Sequence, residues 1–104
     1  MAEQTDPLMK TVREFVRKVS DSGIRVEAAY LFGSHARKKA DKWSDIDIAI
    51  ISPDFSADRI EERIRLTRLS TDVDSRIEPV PFRPADFIDE DPLAWTIRRE
   101  GLRI

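Results

Sequence analysis

Apolar positions recur along this chain with two periods, one of about 3.6 residues and one of about two. The first apolar stripe has the helical period; it starts after Asp6-Pro7 and stops at Ser22-Gly23. An aspartate caps the free amides of a first helical turn, and the proline after it already has a helical φ. The pattern therefore predicts a helix between these two dipeptides.

Two more helices are predicted by the same kinds of signal. The last helix begins at Asp91-Pro92 and stops at Gly101, so cap, proline and terminal glycine stand in the expected order. Another helix covers about residues 58–70, where Asp58 is followed three residues later by a glutamate, as in a capping box.

The helix predicted after Asp58 has a less regular apolar face than the other two. One stripe consists of Ile60, Ile64 and Thr67, with two leucines beside it at positions 66 and 69. We expect this stripe to be the packing face of the helix.

Three segments have the composition of strands, with β-branched and aromatic residues in alternation. They cover residues 24–32, 45–52 and about 73–80, and the second is the clearest. Pro79 and Pro81 mark either the end of the third strand or an edge position, where a missing amide donor is tolerated.

The remaining segments connect these elements. Residues 35–43 are polar and are expected to hold a short helix and a loop, and Pro84 opens a helical turn that runs through Phe87. The order is helix, strand, helix and loop, strand, helix, strand, helix, which predicts an α/β or α+β two-layer fold. With 104 residues and no repeat or linker, residues 1–104 are expected to form a single domain.

Composition narrows the classes of function. A formal net charge of −2 argues against general affinity for nucleic acid or anionic membranes. The sequence has no cysteine, hence no disulfide framework, no thiolate nucleophile and no cysteine-ligated zinc, which fits a reducing compartment. The N-terminus lacks an apolar leader and no apolar run approaches the length of a membrane span, so we expect a soluble cytoplasmic protein.

Asp45 and Asp47 stand at alternate positions at the start of the clearest strand. Side chains alternate along a strand, so both aspartates share a face with Ala49, while the isoleucines between them pack on a core. The aspartates lie about 7 Å apart at their Cα atoms and repel by about 2 kcal/mol at an effective dielectric of about 20. Solvent, arginine or a hard cation such as Mg²⁺ relieves such repulsion, and alone the pair favours a solvated strand end.

A Gly-Ser pair closes the preceding strand and changes this interpretation. Gly33 lets the backbone approach a ligand closely, and the amides of Gly33, Ser34 and the following turn can point at an anion. Positive charge then lies between this anion site and the aspartates. It is carried by Arg37, Lys38, Lys39 and Lys42. The segment is not a Walker A loop, since it lacks a second glycine followed by Lys-Ser or Lys-Thr.

A Gly-Ser pair, ten residues and an Asp-x-Asp motif follow one another in YLFGSHARKKADKWSDIDIAII. This arrangement resembles the signature of the DNA polymerase β-like nucleotidyltransferase superfamily. The likeness is specific over residues 26–52 and looser elsewhere. Because the chain is short, it is most similar to the minimal nucleotidyltransferases, including the antitoxin partners of HEPN-domain toxins. One departure is Lys38, where relatives often carry glycine.

The resemblance implies a fold and a third carboxylate. The fold is a small mixed β-sheet with helices packed on one face, and an acid on the next strand faces the aspartate pair. Asp72, Asp74 and Glu78 are the candidates, and Glu78 is preferred because RIEPVPF resembles the acid–proline ending of this strand in relatives. Asp74 is the alternative. It lies four positions before Glu78, and residues an even number apart point to the same face of a strand. If neither acid faces Asp47, the domain binds nucleotide without catalysing transfer.

The activity implied by the resemblance is metal-dependent nucleotidyl transfer, with Mg²⁺ and ATP bound at one site. The implied catalytic and metal-binding residues are Asp45, Asp47 and Glu78. The implied nucleotide-binding residues, which hold phosphates or offset the charge of pyrophosphate, are Gly33, Ser34, Arg37 and Lys39.

Larger relatives carry an additional domain for their substrate, and we expect 104 residues to leave no room for one. The resemblance therefore implies a protein acceptor, such as a HEPN toxin, that receives AMP from ATP on a hydroxyl group. Arginines of the helix at about 58–70 are candidate contacts for that partner, although a solvated basic face is the simpler interpretation. They are Arg59, Arg63, Arg65 and Arg68. Oligomer formation is left open.

Two other functions remain open at this point. A catalytically silent module would retain a nucleotide pocket and block its partner by occlusion, although binding alone does not require both carboxylates. A nucleic-acid polymerase or a small-molecule adenylyltransferase is disfavoured by the acidic charge balance and by the missing substrate domain.

Three aromatic residues and the single histidine lie near the motif. Tyr30 and Phe32 are expected in the core, and Trp43 is expected to cover the start of the second strand. His35 is expected to face solvent, because its place after Ser34 has the character of a variable loop.

Overall fold

The computed structural model describes residues 6–41 and 43–104. Within these ranges lie the three predicted α-helices, α1 (Pro7–Asp21), α2 (Arg59–Thr71) and α3 (Pro92–Glu100). Their predicted cap residues accept hydrogen bonds from amides of the first helical turn, and the caps are Asp6, Asp58 and Asp91. A 3₁₀-helix at Pro84–Asp86 confirms the predicted helical turn.

No helix in the described ranges is both long and apolar enough to cross a membrane. The first five residues, on which part of the expectation about a leader falls, lie outside those ranges.

Four strands form the sheet: β1 (Ala28–Phe32), β2 (Ile46–Ile51), β3 (Ile77–Phe82) and β4 (Leu102–Arg103). Their order is β3-β2-β1-β4, with β2 parallel to β3 and antiparallel to β1, and with β1 antiparallel to β4. The sheet is therefore mixed, as the resemblance implies. β4 has no counterpart among the predicted strands, because two residues are too few to show a period.

Pro79 and Pro81 lie inside β3, which is an edge strand of the described sheet. The backbone nitrogen of Ser52 donates to the carbonyl oxygen of Phe82 at 2.9 Å, so the even-numbered residues of β3 exchange hydrogen bonds with β2. The missing amide donors of the two prolines therefore face away from the sheet and cost no ladder bond. The edge interpretation is confirmed, and the alternative that the prolines end the strand is wrong.

Apolar side chains are buried on both faces of the sheet. The isoleucine face of β2 packs under Phe15 of α1 and Leu66 of α2, as predicted. The opposite face carries Ala49 and is covered by Ala94 and Ile97 of α3. The expected placement of the helices on one face therefore holds for α1 and α2 but not for α3, because the aspartate face of β2 becomes apolar from Ala49 onward and has its own surface to bury.

The buried face of α2 is not the predicted one. Leu66 is buried and so is Glu62, whereas Ile60 and Ile64 are 75% and 49% exposed. Glu62 Oε2 accepts a hydrogen bond from the backbone nitrogen of Ser56 at 2.6 Å, which holds this acidic side chain inward. The predicted apolar stripe therefore faces outward.

The segment between β1 and β2 is built from turns. The backbone nitrogens of Arg37 and Lys39 donate to the carbonyl oxygens of the Gly-Ser pair, at 3.1 and 3.0 Å. Lys38 has a φ of +59°. The described residues of this segment contain no helix, so the prediction of a short helix here is wrong, and Lys42 lies outside the described residues.

Candidate functional site

The start of β2 brings acidic residues from two strands together. Asp47 lies second in β2, and the strand register places Phe32 of β1 on one side of it and Glu78 of β3 on the other. Neighbouring strands lie about 4.8 Å apart, and paired residues present their side chains on the same face. Asp47 and Glu78 therefore share one surface, and Asp45, which is exposed, directly precedes the strand.

Gly33 lies directly against the carboxylate of Asp47. Its φ is +74°, in the left-handed region that side chains disfavour. A Cβ atom at this position would collide with Oδ2 of Asp47 and lie 3.2 Å from its Cγ. A side chain is thus excluded both by the backbone conformation and by the available space, and the Gly-Ser turn is in contact with the aspartate motif.

Asp47 carries a charge that the protein does not neutralise. Burial raises the pKa of the Asp47 carboxyl group, repulsion from Asp45 and Glu78 raises this pKa further, and His35 and Arg37 oppose the rise. Within residues 6–41 and 43–104, no side chain forms an ion pair or a hydrogen bond with this carboxylate. A carboxylate in such surroundings favours a bound cation.

Glu78 is held by an arginine of α2. Its Oε2 lies 3.2 Å from Nη2 of Arg63, and both side chains are about half exposed. Accordingly, no three acidic or histidine side chains of the described chain converge into a ready metal site. An exposed ion pair of this kind is worth about 0–1 kcal/mol, so little energy opposes a rotation of Glu78 toward Asp47.

The other two candidates for the third carboxylate lie elsewhere. Hydrogen bonds from the Arg76 side chain hold the pKa of Asp74 below its ordinary value, and the two charged groups are 2.8 Å apart. Asp74 precedes β3, which begins at Ile77, so the parity argument for it is wrong. Asp72 follows the last turn of α2 and pairs with Lys18 at 2.9 Å.

The turn after Gly33 has donors that the protein leaves available. The backbone nitrogens of Ser34, His35 and Ala36 do not donate to any acceptor among the described residues. The positive charge of Arg37 lowers the pKa of the Asp47 carboxyl group and so opposes the rise that burial causes. Nε of Arg37 lies 3.8 Å from Oε1 of Glu100.

The four predicted nucleotide-binding residues are therefore all in this turn segment. Gly33 contacts Asp47, and Ser34 follows Gly33 directly. The charge of Arg37 acts on Asp47, and Lys39 is exposed at the end of the turn. Consecutive amides that lack acceptors are donors that a bound anion can use.

Two residues near the motif differ from their predicted placement. His35 is half-buried, and its Nε2 is buried without a hydrogen-bond partner in the part of the chain that the structure describes, so the expectation of a solvent-facing side chain is wrong. Trp43 is 78% exposed and does not cover β2. In a polar loop, no sequence signal separates a buried histidine from an exposed one. Phe32 is buried and Tyr30 packs beside it, which confirms their place in the core.

The residues at this edge suit a divalent cation with oxygen ligands. Asp45, Asp47 and Glu78 offer only carboxylate oxygens, which hard cations such as Mg²⁺ prefer. Gly33 has no side chain, so none lies between its own backbone and the carboxylate of Asp47. Amide donors and carboxylate oxygens are the two kinds of group that a phosphate bound together with a cation requires.

Solved structures with the same fold include nucleotidyltransferases and toxin–antitoxin proteins. A toxin–antitoxin structure with AMP-PNP has a TM-score of 0.67 and 25% identity, and the match covers 88% of this chain and 69% of the other. A mutant of the toxin–antitoxin MntA-HpeT has a TM-score of 0.65 with the same identity and coverage, 25%, 88% and 69%. A protein from Sulfolobus solfataricus assigned as a nucleotidyltransferase has a TM-score of 0.66 and 21% identity, with 98% and 82% of the two chains covered, and shows the fold alone.

Family comparison gives the assignment for the chain as a whole. No curated protein matches it. The family described as nucleotidyltransferase domain matches residues 8–99. This range includes the Gly-Ser turn, the Asp-x-Asp motif and all three helices, apart from Pro7 at the start of α1 and Glu100 at the end of α3. The chain belongs to the nucleotidyltransferase domain family.

Proposed function

We propose that residues 1–104 form one minimal nucleotidyltransferase domain that transfers AMP from ATP to a hydroxyl group of a partner protein in the cytoplasm. The observation that carries this proposal is the contact between Gly33 and the carboxylate of Asp47. It joins a turn with available amide donors to a carboxylate that the protein does not neutralise. A site that holds a triphosphate together with a cation requires both.

The proposed roles of the carboxylates follow from their positions. Asp45 and Asp47 would hold Mg²⁺, and Glu78 would join them when its side chain leaves Arg63. Bound there, Mg²⁺ supplies positive charge against the oxygens of the triphosphate.

The turn segment has the groups that the phosphate side of the site requires. The Ser34 hydroxyl and the amides of Ser34, His35 and Ala36 would bind the β- and γ-phosphate oxygens. Arg37 and Lys39 would offset the charge of the departing pyrophosphate.

The proposed transfer is a single displacement at the α-phosphorus. The acceptor oxygen forms a bond to this phosphorus, and the bond from the phosphorus to the oxygen of the β-phosphate breaks. Pyrophosphate leaves with the electron pair of that bond. The proton of the acceptor hydroxyl passes to a carboxylate of the site, and Glu78 is the candidate.

The identity of the acceptor is supported by two of the solved structures. Both are named as toxin–antitoxin structures, both are 25% identical to this chain, and one contains AMP-PNP. We therefore take the acceptor to be a toxin, with a helical protein of the HEPN type as the first candidate. Addition of AMP to its hydroxyl would silence it.

A second function, occlusion by a catalytically silent nucleotide-binding module, is favoured by one observation. Glu78 is bound to Arg63 at 3.2 Å, and the described residues contain no ready site with three ligands. In that case the domain would block its partner by contact alone, and Asp47 would not be needed for inhibition.

The test uses the chain together with the product of the neighbouring gene as acceptor. With Mg²⁺, ATP labelled at the α-phosphate should label the acceptor, whereas ATP labelled at the γ-phosphate should not, because that phosphate leaves in pyrophosphate. Asp47→Asn should abolish the labelling. Asp72→Asn is the matched control, since it removes an acid that pairs with Lys18 away from the site.

Each other outcome has a definite meaning. Inhibition of the partner that survives in Asp47→Asn without any label would establish the occlusion module. Label that arrives from the γ-phosphate would replace adenylyl transfer by phosphorylation. Label on RNA or on a small molecule in the absence of a protein partner would refute the protein acceptor.

A further inference from the structure

The outward face of α2 carries an apolar stripe. Ile60 and Ile64 lie one turn apart and are both exposed. Thr67 and Thr71 continue the stripe, and their hydroxyl groups donate to carbonyl oxygens within the helix, those of Arg63 and Thr67. With the hydroxyls satisfied, the threonine methyl groups are free for contact. From the first isoleucine to the last threonine the stripe is about 16 Å long.

Arginines border this stripe on both sides. Arg59 and Arg63 lie on the side toward β3, where they approach Asp91 and Glu78 at 3.7 and 3.2 Å. By helical position, Arg65 and Arg68 lie on the other side, where the exposed Glu61 lies between them and leaves a net positive charge. These ion pairs are exposed and worth about 0–1 kcal/mol each, so a partner can exchange them at little cost.

The charge pattern distinguishes three kinds of occupant. Affinity for nucleic acid comes mainly from basic residues that contact phosphates, but the centre of this surface is apolar and the chain has a net charge of −2. A second copy in a two-fold contact would set the stripe against itself and bring arginine to arginine. An amphipathic helix with acidic residues on both sides of its apolar seam complements both the stripe and its borders.

We propose that the outer face of α2 is the docking surface for an amphipathic helix of the acceptor protein, with an apolar seam bordered by acidic residues. The inference rests on the proposed function in one respect, that the acceptor is a protein. Arg63 links the surface to the site, because it borders Ile60 and Ile64 and also holds Glu78. An acidic residue of the docked helix takes Arg63 as its partner and leaves Glu78 free to turn toward Asp47.

The docking surface is tested with two synthetic peptides and the full chain. Each peptide is a helix of about 18 residues with a leucine seam; one has glutamates beside the seam, and the other has lysines in the same positions. Fluorescence anisotropy should show saturable binding of the glutamate peptide and binding of the lysine peptide that is at least about tenfold weaker.

Variants locate the binding. Ile64→Asp should weaken binding of the glutamate peptide about tenfold or more. Leu102→Asp is the matched control, because Leu102 is 48% exposed, against 49% for Ile64, and lies on the opposite edge strand, β4; it should bind the peptide as the wild type does. The double variant Arg63→Glu with Arg68→Glu should reverse the preference and select the lysine peptide.

Equal binding of the two peptides, or equal losses in Ile64→Asp and Leu102→Asp, overturns the proposal. So does binding of single-stranded RNA, or a dimer measured by light scattering, that Ile64→Asp abolishes, since either would assign the surface to another occupant. Binding of MgATP is titrated separately and should be the same in Ile64→Asp as in the wild type. If the wild type binds the glutamate peptide but not MgATP, the proposed function is refuted and the docking proposal still holds.

Discussion

Two acidic residues of this molecule, Glu62 on α2 and Asp47 on β2, have opposite surroundings. Glu62 is only 5% exposed, and its oxygens accept from the backbone nitrogen of Ser56 at 2.6 Å and from Arg65 at 3.5 Å. Asp47 is partly buried without any such partner among the described residues, and burial followed by repulsion from two neighbouring acids raises the pKa of its carboxyl group. The first carboxylate stabilises the fold, and the second destabilises it and fits a site that binds a cation.

The largest expected effect comes from the satisfied carboxylate. Glu62→Ala leaves the backbone nitrogen of Ser56 without its acceptor and opens a cavity beside Leu66, so the free energy of unfolding should fall by about 2–4 kcal/mol. Urea denaturation followed by circular dichroism measures this loss. Glu62→Gln keeps an oxygen for Ser56 and should lose about half as much. An unchanged free energy of unfolding in Glu62→Ala would remove the contrast with Asp47.

The next effect concerns the turn that contacts Asp47. Gly33→Ala adds a Cβ at a φ of +74° and sets it against the carboxylate of Asp47, so we expect a loss of about 1–3 kcal/mol in stability and a loss of about tenfold or more in MgATP affinity. Unfolding experiments and calorimetric titration measure the two quantities.

Gly23→Ala is the matched control for this change. Gly23 also has a positive φ, +98°, but a Cβ added there meets no atom within 4 Å. This variant should lose stability through backbone strain alone and should bind MgATP like the wild type. If both variants lose nucleotide affinity equally, the contact between Gly33 and Asp47 has no role in binding.

A smaller effect of opposite sign is expected at Asp47 itself. Asp47→Asn removes a charge that burial and the neighbouring acids disfavour, so the metal-free protein should become more stable, by at most about 1 kcal/mol because this partly exposed group is screened by solvent. Millimolar Mg²⁺ should stabilise the wild type more than the variant and so reduce or reverse the difference. Thermal unfolding with and without Mg²⁺ measures both effects. If Asp47→Asn is less stable than the wild type when both are free of metal, then Asp47 stabilises the fold as Glu62 does.

The contrast between these two regions also explains which parts of the structure the sequence predicts. Asp45, Asp47 and Gly33 are specified by local rules: alternation along a strand, a turn that requires glycine, and a short spacing between them. The exposed stripe on α2 is not predictable in this way, because the inward orientation of Glu62 depends on an amide that a loop presents at Ser56. Counting apolar residues therefore chose the wrong face of that helix.

Features that depend on distant parts of the chain were missed for the same reason. β4 is a strand only because its two residues pair with Tyr30 and Leu31 of β1. The side on which α3 packs is decided by the apolar residues of the aspartate face of β2, beginning at Ala49. The partial burial of His35 depends on how the turn segment folds over the sheet, and the sequence around it has only the pattern of a polar loop.

The smallest effect on stability is expected at Lys38, which tests backbone strain in the turn segment that follows Gly33. Its φ of +59° is the only positive value among the non-glycine residues that the structure describes, and it lies in the left-handed region that favours glycine. Lys38→Gly relieves the strain at the Cβ but adds freedom to the unfolded chain, so stability should rise by about 0.5 kcal/mol. Lys39→Gly makes the same exchange next to it without a positive φ and should lower stability by about as much. Urea denaturation of the two variants decides the point: a loss in both would show that the turn gains more from the lysine side chain than it loses to its backbone.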